Sequence, residues 1–342
     1  MYACNPASAV LSSAPRRQFV QGATAALAVG SLGAPFAALA QAMPENLRVV
    51  CGFAPGGTSD TISRRVGDKL TGSYAKTVVV ENRAGAGGRI AIDAVKAASA
   101  DGSALLLTPG SMLFIYPHIS KQLSYNPLTD LVPVSSAANI VHALAVGPAV
   151  PESVKNLTDF INWCKANPAK ANYGSPAAGS TPHFIGALVE KAAGVQMNHV
   201  PFKGTQPAIV DMMGGQVPAV IGPDGEFLPH IKTGRVRVLA TSGPQRSKFH
   251  PDVATFSEQG VKSVVVQEWF GFFMPGKTPP DIVRRASTAI AAAIKTREVI
   301  DSFNLMGLEP AASTPGELVA RLKADYDFWA PVVKATGFTA ES

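Results

Sequence analysis

Short apolar runs, glycine-rich turns and helically spaced apolar residues follow one another along most of the chain. Leu47-Arg48-Val49-Val50-Cys51-Gly52-Phe53 reads as a buried parallel strand. It runs into Ala54-Pro55-Gly56-Gly57-Thr58-Ser59-Asp60. Ile62, Val66 and Leu70 then recur at helical spacing, with Thr58, Ser59 or Asp60 available as the cap. Thr77 to Val80 is a second strand, ending in Glu81-Asn82-Arg83-Ala84-Gly85-Ala86-Gly87-Gly88, and a helix is expected from about Ile90. Ala104 to Thr108 is a third strand, with Pro109-Gly110-Ser111 after it. Strand, turn and helix repeated in close succession predict a parallel sheet covered by helices.

A second region begins near Val141-His142-Ala143-Leu144-Ala145-Val146. Leu157 to Lys165 has a helical pattern closed by Asn167-Pro168, and Ala171 to Ser175 is a short strand. Pro176-Ala177-Ala178-Gly179-Ser180-Thr181-Pro182-His183 leads into a helix over Phe184 to Ala193. His199 to Phe202 is a strand, and Pro207 to Met213 a helix stopped by Gly214-Gly215. Val217 to Ile221 and Val236 to Thr241 are further strands. Around Trp269 to Met274 the chain crosses back, and Pro280 to Lys295 and Pro315 to Trp329 form two helices.

The N-terminus changes the picture of where the protein works. Arg16-Arg17-Gln18-Phe19-Val20 is a charged start, Ala23 to Leu39 is apolar but broken by Gly30 and Gly33, and Ala40-Gln41-Ala42 is an A-x-A cleavage site. Residues 1–42 therefore read as an export signal, cleaved after about Ala40 or Ala42. The twin arginine resembles a Tat signal, although Pro15 stands where that motif carries Ser or Thr, and the Sec route stays open. A retained anchor wants about 20 strongly apolar residues, which this stretch lacks. Beyond it lie Cys51 and Cys164, placed in different lobes and expected to be buried thiols.

Composition fits a globular chain: 16% charged and 46% hydrophobic residues, with 30 Lys+Arg against 24 Asp+Glu. The basic residues are scattered, which argues against a nucleic-acid partner. No CxxC or Cys/His spacing suggests a metal.

Three glycine-rich turns end strands and open helices: 55–58, 85–88 and 174–180. Glycine lets backbone approach a ligand closely, and a helix start offers unpaired N–H groups with partial positive charge. In parallel sheets ligands bind beyond the strands' carboxyl ends, so three such turns predict one carboxylate-binding cleft. Gly85-Ala86-Gly87-Gly88 is not G-x-G-x-x-G, and there is no P-loop and no G-x-S-x-G elbow. His183 and His199 could be imagined as bases, but a lone His near a helix start reads more readily as a cap or packing residue. A cleft enzyme lacks its nucleophile, base and metal here, so no cofactor is expected.

At these turns the sequence resembles the solute receptors of tripartite tricarboxylate transporters, the Bug family. The resemblance rests on Phe53-Ala54-Pro55-Gly56-Gly57-Thr58-Ser59-Asp60, Val79 to Gly88, Tyr173-Gly174-Ser175 to His183, Val200-Pro201-Phe202-Lys203-Gly204 with Pro207-Ala208, and Gly307-Leu308-Glu309-Pro310. It implies an α/β, type II periplasmic-binding-protein fold: two lobes with mainly parallel central sheets joined by two crossover strands. Lobe one would combine residues 43–140 with 270–342, and lobe two would be 141–269. The implied role is capture of a small organic acid and its delivery to membrane permease subunits by a periplasmic monomer that is not an enzyme. A sensor of the same fold, presenting its bound form to a membrane signalling partner, is the alternative.

Carried over, the resemblance places Phe53, Ala54, Pro55, Gly56, Gly57, Thr58 and Asp60 of the first turn at the ligand carboxylate. Ser175, Ala178, Gly179, Ser180, Thr181 and His183 of the third turn would join them there. Ala84, Gly85, Gly87 and Gly88 would form the cleft floor, and Thr108 would also meet the ligand. The sequence departs from the family at Asn82-Arg83-Ala84-Gly85, where Asn-Arg-Pro-Gly is common, and at Gly222-Pro223-Asp224-Gly225-Glu226, where an Asp-Asn pair precedes small or apolar residues. Pro223 and Asp224 are expected to meet the ligand's far end, with Asp224 favouring an amine, amide or hydroxyl and repelling a second carboxylate.

Overall fold

A computed structural model describes residues 43–340; the expected export signal lies outside the described residues. In the first half, β1 (Asn46–Cys51), β2 (Thr77–Asn82) and β3 (Ala104–Pro109) pair in parallel with β1 central. The whole of β3 is buried, as a strand covered on both faces should be. α1 (Thr58–Leu70) turns Ile62, Val66 and Leu70 inward as their spacing predicts, and α2 (Arg89–Lys96) buries Ile92 and Val95. The α1 N-cap is Gly57, not one of the three polar residues expected there.

Next comes β4 (Leu131–Val146), the longest strand among the described residues. The second half holds α3 (Leu157–Ala166), β5 (Asn172–Ser175), α4 (Thr181–Ala193), β6 (Asn198–Pro201), α5 (Thr205–Met213), β7 (Ala219–Pro223) and β8 (Arg237–Thr241). The chain returns along β9 (Gln267–Pro275) and closes with α6 (Pro280–Ile294), α7 (Arg297–Leu305) and α8 (Pro315–Thr336).

The strands line up as β2-β1-β3-β9-β4-β7-β5-β6. Both flanks are parallel, and the middle, through β9 and β4, is antiparallel. β4 belongs to both flanks: Leu131–Val141 pairs with β9, and His142–Val146 pairs with β7. The turns after β1, β3, β5 and β7 therefore come together where the two flanks meet. At that junction Trp269 of β9 is buried, and its indole N–H donates to Asp325 of α8 at 2.6 Å.

Two elements exceed what their patterns predict. The first ten residues of β4 carry Pro133, Ser135 and Ser136, which blur any strand period; the register against β9 shifts at these positions, so bulges absorb them. α8 continues through Pro331, two turns past Trp329. Cys51 and Cys164 are buried free thiols, and burial pushes them up to about 11 and about 12. No helix of the described residues is long and apolar enough to cross a membrane.

Candidate functional site

The turn after β1 folds back on itself. Gly56 takes φ +82°, and its N–H donates to Asp60 Oδ2 at 3.0 Å, which also accepts from Arg64 Nε at 3.0 Å. Burial opposes the Asp60 charge, yet Arg64 and the Gly56 N–H hold its carboxyl below the ordinary value. Asp60 is thus a brace of the loop. Gly57 continues in ordinary backbone, and Thr58 presents its N–H and hydroxyl at the start of α1.

Both Thr58 groups already have a partner. Glu226, two residues after Asp224 in the turn following β7, reaches across and accepts from the Thr58 N–H at 3.0 Å and from the Thr58 hydroxyl at 2.7 Å. Its other oxygen accepts from the Gln206 side-chain amide at 3.0 Å. Burial pushes the Glu226 carboxyl up, against the pull of these three donors. Nearby, Glu268 of β9 accepts from the Ser111 N–H at 2.9 Å and from His142 Nε2 at 2.8 Å. Burial opposes its charge too, but His142 and Ser111 hold its carboxyl below the ordinary value.

These groups line one cavity between the two flanks. Its apolar wall is Phe53, Met112, Ile140, Pro176, Pro182 and Phe270, and its polar wall includes Thr58, Ser111, His142, Gln206, Glu226 and Glu268. No Lys or Arg is among the lining residues. Of the residues singled out from sequence, Phe53, Ala54, Gly57, Thr58, Ser180 and Pro223 line this cavity.

A second, more polar cavity shares Phe53 and Pro176 with the first. It takes in Gly85, Gly87, Gly88 and Ala178, with Arg89, Tyr116 and Lys203. Here glycine is required: Gly88 has φ +92°, and Gly52 packs so closely that a Cβ on it would lie 2.5 Å from Gly88 Cα. Tyr116 donates its hydroxyl proton to the Ala178 carbonyl at 2.5 Å. The 85–88 turn therefore floors this neighbouring cavity and not the one that holds Thr58.

The remaining expected residues stand behind the walls. Pro55, Gly56 and Ala84 lie on loops outside both cavities, and Thr108 is buried in β3 with its hydroxyl 3.3 Å from the Pro109 carbonyl. Ser175 and His183 belong to a buried cluster. Ser175 Oγ is 2.7 Å from His199 Nε2, His183 Nδ1 accepts from the Gly179 N–H at 3.0 Å, and the two rings stack at 3.9 Å. Burial pushes His183 down to about 4, and burial with the neighbouring His183 pushes His199 to about 3. Thr181 is fully buried at the start of α4. Ser180 lines the cavity, but its hydroxyl donates to the Ala177 carbonyl at 2.7 Å.

Asp224 does not meet the cavity. It is fully buried, accepts from the Ser247 hydroxyl at 2.5 Å, and burial pushes its carboxyl up to about 6. The acidic turn does reach the cavity, through Pro223 and Glu226. Asp224 and Glu226 lie in a tight turn over Asp224–Phe227, where the two side chains leave in different directions.

The model of the tripartite tricarboxylate transporter family receptor matches residues 62–338. The chain belongs to this receptor family. It is 34% identical over 292 residues to Protein BugT of Bordetella pertussis, covering 85% of this chain and 89% of that one. The structure of the periplasmic binding protein BugD superposes with a TM-score of 0.81 at 27% identity, covering 86% of this chain and 99% of that one. R. palustris Rpa4515 with adipate gives 0.81 at 28% identity, covering 86% and 98%. The α/β fold is accordingly the two-lobe fold of periplasmic binding proteins. Within the receptor, Ser111, His142, Gln206 and Glu268 are lining residues that the sequence did not single out, and Glu226, noted there beside Asp224 as an acidic departure, is the carboxylate of that turn that lines the cavity. The available signal was an ionisable residue in an apolar strand: Glu268 stands just before Trp269-Phe270, and His142 within Val141 to Val146.

Proposed function

We propose that this receptor captures a small organic carboxylate in the cavity around Thr58 and delivers it to the permease subunits of a tripartite tricarboxylate transporter. The observation that carries the reading is the junction itself. Phe53, Ala54, Gly57 and Thr58 from one flank and Ser180 and Pro182 from the other face a shared cavity at the carboxyl ends of their strands. The adipate complex of a relative supports a small organic acid as the ligand class. Residues 43–140 with 270–342 form one lobe and 141–269 the other, with β4 and β9 as crossovers. A ligand touching both lobes favours the closed state, so capture and presentation to the permease are one event.

The chain acts by binding and release, as a monomer, without a chemical step. It works in the periplasm after loss of residues 1–42, the compartment named for the BugD relative. The test is mass spectrometry of acid co-purified with the periplasmic protein, followed by a thermal-shift screen of organic acids. A bound acid and a raised melting temperature are expected. A preparation with no bound acid and no shift from any acid would overturn the reading.

A further inference from the structure

Three features of the cavity concern the charge of its ligand. First, a carboxylate already occupies the start of α1: Glu226 takes both the Thr58 N–H and the Thr58 hydroxyl. This is the kind of position where a helix terminus stabilises an anion. Second, Glu268 lines the same cavity, and no Lys or Arg does. Third, His142 is 1% exposed and lines the cavity, and its Nδ1 has no hydrogen-bond partner among the described residues, while its Nε2 is engaged by Glu268.

We propose that Glu226 is the residue that sets the ligand's charge: by filling the anion seat on α1, it makes the cavity reject a dicarboxylate and select an acid whose other end is a protonated amine. The inference rests on the reading of this cavity as the ligand site. One ligand carboxylate is served at the starts of α4 and α5, where Ser180, Thr205 and Gln206 line the cavity and the first N–H groups have no intrahelical partner. The ammonium end then faces Glu226, whose buried charge gains a donor from the ligand. A second ligand carboxylate in that place would meet Glu226 with no Lys or Arg in the lining to separate them, an arrangement that specificity by repulsion exploits.

Calorimetry with straight-chain dicarboxylates up to adipate, each against the acid in which one terminal carboxylate becomes an aminomethyl group, reads the preference directly. Wild type is expected to bind the amino member of at least one pair about tenfold or more tightly than its dicarboxylate partner. Glu226→Gln, checked for folding by circular dichroism, is expected to bring the two within about twofold to threefold of each other. Equal binding by wild type, a preference for the dicarboxylate, or an unchanged ratio in Glu226→Gln overturns this assignment and leaves the receptor reading standing. Binding of neither series also overturns this assignment, and the receptor reading then rests on the wider thermal-shift screen of organic acids. If Glu226→Gln does not fold, the wild-type ratio decides alone.

Discussion

At the scale of single residues, Gly57 and the histidine pair give the sharpest expectations. A Cβ on Gly57 would lie 3.4 Å from Glu226 Oε1, and the backbone there, at φ −87°, accepts a side chain. Valine fits the loop, but its methyls displace the Glu226 carboxylate from Thr58. Gly57→Val is therefore expected to fold and to weaken acid binding about tenfold or more, ~1.4 kcal/mol, by calorimetry; wild-type affinity would move the site elsewhere. The His183–His199 stack predicts acid sensitivity. Unfolded, both imidazoles titrate near 6.5; folded, they titrate at about 4 and about 3. Between these values the unfolded chain binds protons that the folded chain does not, so stability is complete above 6.5 and falls as the pH drops toward 4. Asp224, pushed up to about 6 from 3.8, works oppositely, losing its contribution as the pH rises through 6. The two are separated by His199→Gln: its melting temperature should fall less than that of wild type between roughly pH 7 and roughly pH 5. An identical slope would assign the acid sensitivity to other groups.

Among the elements, α8 is the one whose start is most clearly built. Thr314 accepts from the Glu317 N–H at 3.2 Å, and the Glu317 carboxylate accepts from the Thr314 N–H at 2.8 Å, a reciprocal capping box. Thr314→Ala should cost about 1 kcal/mol, read as a lower urea midpoint at unchanged slope; no change would mean that packing of Trp329 and Leu322 alone sets this helix. The elements were legible in sequence wherever one periodicity ruled. Ile62, Val66 and Leu70 marked α1, and Trp269 to Met274 marked β9. They were not legible where two demands overlapped. The first half of β4 must carry Pro133 and two serines through a crossover, and only its partner strand reveals where the bulges fall. α7 buries little more than Val299 and Phe303, too few positions to register as a period. The cavity was half legible for a similar reason. Its glycine turns are local features, whereas the Glu226–Thr58 and Glu268–His142 contacts join residues more than a hundred positions apart.

On the scale of the whole molecule, the cavity lies where two groups of parallel strands meet across β4 and β9, and hydrogen bonds join the two flanks at Thr58–Glu226 beside it and at Ala54–Lys203 and Tyr116–Ala178 around the neighbouring cavity. On the proposed capture by closure, a ligand bound there adds to these contacts only in the closed arrangement. Saturating acid should therefore raise the melting temperature and reduce the radius of gyration by small-angle scattering. An unchanged radius at saturation would count against capture by closure.

The path of β4 carries one more consequence. The chain leaves the first flank along β4 and comes back along β9, and Val141 sits directly opposite Gln267 in the ladder. The chain between them leaves and returns at adjacent positions, so exchanging that segment needs only two neighbouring joins. Transplanting it between relatives would move Ser180, Gln206 and Glu226 together while leaving Thr58 and Glu268 behind. A lineage of such receptors could thereby acquire new tastes by recombination at two neighbouring seams, keeping the partner half of every contact in place.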